Sequence, residues 1–186
     1  MAKSDLKYLA LLRGINVGGK NIIPKDDLRE CFEDLGFSAV RTYIQSGNIL
    51  FRSSQTRTRE LTQLIESRLS QRFNYPAQAV VLSYRKYRLA VAAAPADWGV
   101  DDNQKHNALF MMAGARAPQV LAELAIPPKV EFETVTIGPG VVFWSVSKAK
   151  FGMSAVSRLA AMPIYQKMTV RNHNTVFKLL NLFEEI

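Results

Sequence analysis

Apolar and polar positions alternate along this chain in two rhythms, and together they predict a sandwich of strands and helices. The first segment, Leu6–Arg13, is an almost unbroken apolar run, which predicts a central β-strand buried on both faces. A Gly- and Asn-rich loop follows. Pro24 stands where a first helical residue is expected, and Asp26 and Asp27 occupy the first turn, where acids favour the helix dipole. Leu35 and Gly36 mark the end of that helix. Residues 40–45 and 48–52 are two short β-rich runs about Ser46-Gly47, a strong hairpin signal. Residues 58–73 predict a helix with Leu61, Leu64, Ile65 and Leu69 on one face, and residues 79–83 a further strand. The order is β-α-β-β-α-β, the split arrangement of ferredoxin-like folds.

The second half begins the same order again. Residues 84–94 predict a connecting helix stopped by Pro95. A strand over 108–112, a short helix over 117–124, a hairpin of 130–137 with 141–147 and a helix over 151–161 follow. No final strand is legible. Instead Asn172 or Asn174 caps a last helix through Leu182, with Val176, Leu179, Leu180 and Phe183 on its apolar side. The expectation is an α+β protein of two ferredoxin-like halves in tandem, the second atypical at its end. The subdomains expected are 1–83 and 105–186, joined by a connecting helix and linker over 84–104.

The chain's 186 residues are 48% apolar and 22% charged, the balance of an ordinary globular protein. The run Tyr8-Leu9-Ala10-Leu11-Leu12 is far too short for a signal-peptide core or a membrane span, so a cytoplasmic location is expected. The single cysteine, Cys31, excludes an internal disulfide. It sits with Leu28, Phe32 and Leu35 on one helical stripe, the place of a core thiol rather than a nucleophile.

Residues 14–21, Gly14-Ile15-Asn16-Val17-Gly18-Gly19-Lys20-Asn21, nearly spell a phosphate-binding P-loop. Such a loop needs its lysine at a helix start and a Ser or Thr after it for Mg²⁺. Here Asn21 takes that place, and Pro24 opens the helix four residues beyond Lys20. A hairpin then follows, where P-loop hydrolases continue a parallel sheet. Nucleotide hydrolysis of that kind is therefore excluded.

The topology nevertheless brings this loop to the same sheet edge as the hairpin tip. Arg13, Asn16, Lys20 and Asn21 would face Gln45, Ser46 and Asn48, a donor cluster suited to a carboxylate or phosphate. The bland alternative is that these groups satisfy one another and the loop backbone. Further along, Thr169-Val170-Arg171-Asn172-His173-Asn174-Thr175 is densely polar. It could add Arg171 and Asn172 to the site, or be no more than a helix cap. His106 and His173 are the only histidines, and no carboxylate lies at ligand spacing from either. No metal, cofactor or catalytic triad is expected, and nothing here names a reaction or settles whether the protein is an enzyme.

Charge changes the picture. Of the net +8, residues 52–88 carry +6, from Arg52, Arg57, Arg59, Arg68, Arg72, Arg85, Lys86 and Arg88 against Glu60 and Glu66. Phe73, Tyr75, Tyr84 and Tyr87 are interleaved with them. Such a concentration points to nucleic acid or another polyanion as partner. The third strand, Asn48-Ile49-Leu50-Phe51-Arg52, lacks the signature of RNA-recognition motifs, so binding would be driven by the phosphate backbone.

The runs Ala10-Leu11-Leu12-Arg13-Gly14-Ile15-Asn16-Val17-Gly18-Gly19-Lys20-Asn21 and Thr42-Tyr43-Ile44-Gln45-Ser46-Gly47-Asn48 closely resemble the bacterial family called domain of unknown function 1697. Arg171-Asn172-His173-Asn174-Thr175-Val176 with Lys178-Leu179 resembles its C-terminal signature, which normally carries Trp at the position of His173. The resemblance implies a duplicated ferredoxin-like α+β fold and no assigned activity. Two expectations remain: a basic cytoplasmic binding protein for nucleic acid or another polyanion, or an enzyme or sensor for a small anionic ligand held where loop 13–21 meets hairpin tip 45–48.

Overall fold

The computed structural model describes residues 6–16, 19, 21–45 and 47–186. The chain forms two compact units, one running to Tyr87 and taking in Leu179–Ile186, the other spanning Arg88–Lys178.

In the first unit the elements are β1 (Leu6–Arg13), α1 (Lys25–Glu33), β2 (Ser38–Tyr43), β3 (Asn48–Ser53), α2 (Thr58–Phe73) and β4 (Gln78–Ser83), followed by α3 (Tyr84–Ala92), which continues past Tyr87. The sheet order is β2-β3-β1-β4, and β1 pairs antiparallel with both neighbours. The apolar run of β1 is explained by this position. Tyr8, Ala10 and Leu12 face a core built with Leu28, Cys31 and Phe32 of α1 and Leu61, Ile65 and Leu69 of α2. Leu9 and Leu11, on the opposite face, are buried as well. The core row of α2 is thus i, i+4, i+8; Leu64, expected on that face, flanks the row and is 46% exposed.

Cys31 is fully buried, and burial pushes its thiol above the usual range despite Arg72 and Arg68 nearby. That suits a core residue and opposes a nucleophile. Tyr75, also buried, is pushed up to about 12, chiefly by desolvation.

The last residues of the chain belong to this unit. Lys7 Nζ donates to the Phe183 carbonyl (2.7 Å), Arg52 Nη2 to the Ile186 carbonyl (2.8 Å) and the Tyr84 hydroxyl to Glu184 (2.8 Å). Arg41 pairs with Glu185.

The second unit repeats the scheme with β5 (Gln104–Met111), α4 (Ala117–Ala122), β6 (Glu133–Gly138), β7 (Val141–Ser147), α5 (Ala155–Arg158) and β8 (Met168–Asn172). Its sheet order is β6-β7-β5-β8, also antiparallel. A last helix, α6 (His173–Leu182), begins here and runs into the residues assigned to the first unit. The protein is therefore α+β, with two four-stranded halves in tandem.

Two local expectations are corrected here. A final strand exists: β8 pairs with β5, Ala108 opposite Arg171. It escaped pattern reading because Thr169 and Arg171 are buried polar residues in it, Arg171 Nη1 donating to Thr169 Oγ1 (2.9 Å) and to the Val170 carbonyl (2.8 Å). The helix expected over 151–161 is instead 3-10 turns around the four-residue α5. Buried Glu133 organises that segment. Its carboxylate accepts from Trp144 Nε1 (3.0 Å) and from the backbone N–H groups of Lys129 (2.9 Å), Ala155 (3.1 Å) and Val156 (3.4 Å). Ser154 caps α5 through Ser157 N–H (3.1 Å).

Candidate functional site

Strand register brings the glycine-rich loop to the hairpin tip. Leu11 lies opposite Asn48, and Leu12 N–H donates to the Gly47 carbonyl (2.8 Å). Asn16, with φ 52°, is the latch between them. Its Nδ2 donates to the Gln45 carbonyl (2.6 Å) and the Ile23 carbonyl (3.1 Å), while its Oδ1 accepts from Ile23 N–H (2.8 Å). Asn21 Nδ2 donates to the Gly14 carbonyl (2.8 Å), closing the loop on itself. Asn48 is buried and donates to the Tyr43 carbonyl (3.1 Å). Arg13 Nη1 donates to Gln78 Oε1 on β4 (3.1 Å).

The candidate residues Arg13, Asn16, Asn21, Gln45 and Asn48 therefore belong to one sheet edge, with the asparagine donors directed at the protein's own carbonyls. Lys20 and Ser46 lie outside the described residues. Arg171 and Asn172 belong to the second unit. There Arg171 is buried, and Asn172 Oδ1 accepts from Thr175 N–H (2.8 Å) as the cap of α6.

The basic residues divide by partner. Arg68 and Arg72 reach back to α1 and its end, contacting Asp34 (3.1 and 2.8 Å) and, from Arg72, Glu30 (3.0 Å). Arg57 pairs with Glu60 (2.8 Å), and Arg52 bonds the chain's last carbonyl. Arg59, Arg85 and Lys86 are exposed and make no ion pair among the described residues. Arg88 is exposed and falls in the second unit.

Topology collects several of these charges. Leu6 lies opposite Ser53 and Tyr8 opposite Ser83, so β1 starts where β3 and β4 end. The starts of α2 and α3 follow those ends, and the Tyr8 hydroxyl donates to the Gln55 carbonyl (2.8 Å), tying the lead-in to α2 down at this edge. Arg57, Arg59, Arg85 and Lys86 thus share the sheet end opposite the glycine-rich loop. Among the described residues, Glu60, Glu184 and Glu185 are acids at this end.

The second unit holds a cluster that sequence reasoning passed over. The rings of His106 and His173 meet edge-on with centroids 5.3 Å apart, and Trp98 packs edge-on against both (6.2 and 6.1 Å). His106 Nε2 faces the Asp101 carbonyl (3.1 Å), which can only accept, so Nε2 carries a proton; Nδ1 lies 2.8 Å from the Ser145 hydroxyl. His173 is held below the usual histidine range, first by burial and then by the charge of His106. In the sequence only His106 adjoins a run that reads as a strand, and no local pattern joins it to the distant His173. Among the described residues no group of His, Cys, Asp or Glu could hold a metal ion, and no helix is long and apolar enough to cross a membrane.

The model of the family described as "Protein of unknown function (DUF1697)" matches residues 6–143. The chain belongs to that family. The match takes in the glycine-rich loop, the hairpin and the whole of the first sheet; the Arg171–Asn172 segment lies beyond it. Among solved structures, a conserved bacterial protein from Streptococcus pneumoniae is similar over 97% of this chain and 99% of its own, at 29% identity and a TM-score of 0.85. The likeness in fold to that protein thus covers both units. No functionally curated protein matches the chain.

Proposed function

We propose that this protein binds nucleic acid through the end of its first unit where α2 and α3 begin. The observation carrying the reading is the register of β1 with β3 and β4, which gathers the exposed Arg59, Arg85 and Lys86 at one end, beside the Arg57–Glu60 pair. The start of the 16-residue α2 adds a positive dipole end to them. Arg68 and Arg72 do not contribute, because Asp34 and Glu30 neutralise them. Binding of this kind is dominated by phosphate contacts and weakens steeply with salt.

The test is fluorescence anisotropy of a labelled single-stranded RNA and a DNA duplex, titrated with salt, with heparin as a non-nucleic competitor. An Arg59→Ala/Arg85→Ala/Lys86→Ala variant should bind more weakly, its salt slope reduced by roughly 0.7–0.9 for each phosphate it no longer neutralises. An Arg68→Ala variant should bind as the parent does. No binding at low salt by the parent would sink the reading, and heparin bound in preference to either nucleic acid would shift it to another polyanion.

A second reading is a small anionic ligand at the junction of the glycine-rich loop and the hairpin. The Asn16–Gln45 contact supports it by joining the two segments. The commitment of Asn16 and Asn21 to loop carbonyls favours a scaffold instead.

A further inference from the structure

We propose that the cleft beside the start of α2 accepts a nucleobase, so that the nucleic acid is held as a single strand with one base inserted. This rests on the basic-end reading and adds what that end recognises. The cleft encloses about 400 Å³, within the roughly 300–1,000 Å³ of ordinary ligand sites. Its lining mixes apolar residues, Leu35, Phe37, Leu61 and Leu64, with polar ones, Ser54, Gln55 and Glu60.

The apolar lining is firm. Phe37 stacks on Phe51 with centroids 4.5 Å apart and an interplanar angle of 27°. Leu64 is a large apolar residue left half-exposed on α2, and its place in the cleft wall gives that exposure a use. The polar lining is oriented by its own bonds. Gln55 Nε2 donates to Glu60 Oε2 (2.6 Å), and Arg57 Nη1 donates to Glu60 Oε1 (2.8 Å). Arg57 is therefore held next to the cleft through Glu60.

Apolar residues beside hydrogen-bonding groups, with Arg57 next to the cleft on Glu60, fit the parts of a nucleotide: a ring, its hydrogen-bonding edge and its phosphate. The carboxylate of Glu60 can only accept, so it suits a base with an exocyclic amino group and opposes a carbonyl at the same place. Cytosine presents an amino donor at C4 and an acceptor at N3, whereas uracil presents a carbonyl at C4 and an N–H donor at N3, so a carboxylate facing the C4 group selects the amino base. Bases in a duplex are stacked and paired, so only an unpaired base can enter.

Calorimetry with cytidine 5′-monophosphate, uridine 5′-monophosphate and ribose 5-phosphate tests this, together with anisotropy of a single strand and its abasic counterpart. The cytidine nucleotide should bind roughly tenfold or more tighter than the uridine nucleotide. Glu60→Gln should abolish that preference. Leu64→Gln, at a half-exposed position that tolerates a neutral polar residue, should weaken the cytidine nucleotide and leave ribose 5-phosphate unchanged. If the abasic strand binds as tightly as the base-bearing one, the cleft proposal is overturned while the basic-end reading stands. If no strand binds even at low salt, both fall.

Discussion

Asn16 Nδ2 lies 2.6 Å from the Gln45 carbonyl oxygen, and through that bond the loop after β1 is fastened to the hairpin between β2 and β3. The same side chain satisfies both the carbonyl and the N–H of Ile23 (3.1 and 2.8 Å). Asn is also among the few residues that tolerate the left-handed φ of 52°. Asn16→Ala should therefore cost about 2.5–6.5 kcal/mol, from three hydrogen bonds at about 0.5–1.5 kcal/mol each and a left-handed backbone penalty of about 1–2 kcal/mol. Asn16→Asp should cost more, because it turns a donor into an acceptor facing two carbonyls. Urea denaturation read by circular dichroism checks the order; equal stability of all three proteins would show that the latch carries no weight.

Gly47 follows the same latch, and two effects can be separated there. Its φ is +72°, and a Cβ would lie 2.8 Å from both Leu12 Cβ and Ile15 Cδ1. Gly36 has a similar φ of +78° and nothing within 4 Å of an added Cβ. Gly36→Ala should thus cost only the left-handed penalty, about 1–2 kcal/mol. Gly47→Ala should cost that plus overpacking of about 1–3 kcal/mol. If the two variants melt together, the close packing of the hairpin tip on Leu12 and Ile15 is wrong.

Residues such as these explain which parts of the architecture were readable beforehand. The bounds of α2 and β7 follow from apolar periodicity, and β1 from its unbroken apolar run, because those elements answer to burial alone. The meeting of the glycine-rich loop with the hairpin followed from strand direction. The strand β8 was invisible because Thr169 and Arg171 are polar yet buried, satisfied by each other and by the backbone. Residues 151–161 carried helical spacing, but Glu133, distant in sequence, holds the backbone of Ala155 and Val156 in the short turn of α5. The pairing of Arg68 and Arg72 with Asp34 was hidden for the same reason: a charge count along the chain does not see partners more than 30 positions away. The cleft beside α2 is built from three separate segments, and no local pattern announces it.

Glu133 gives a third prediction. It is 4% exposed and accepts four hydrogen bonds, including that of the buried Trp144 indole. Glu133→Ala leaves those donors unmatched in the interior, each costing about 1–3 kcal/mol where water cannot reach it. The loss should exceed about 3 kcal/mol and shift Trp144 fluorescence. Glu133→Gln, which keeps one acceptor oxygen, should fall between parent and Ala. A Glu133→Ala protein as stable as the parent would mean that the 3-10 turns around α5 hold themselves.

The histidine pair sets a pH dependence whose sign can be worked out. His173 faces His106, with Asp102 and Lys148 as the further charges acting on it and Trp98 packed against it. Its folded value lies below its usual 6.5, burial being the largest cause and His106 the next. The unfolded chain therefore takes up the proton more readily than the folded one. The contribution of neutral His173 to stability is fully present above pH 6.5 and is lost as pH falls below that value toward the lowered folded value. Denaturant midpoints at about pH 7.5 and about pH 5.5 should differ more in the parent than in a His173→Phe variant, which keeps a ring against Trp98 and Gly99 but cannot titrate. An identical pH dependence in the two proteins would assign the acid sensitivity elsewhere.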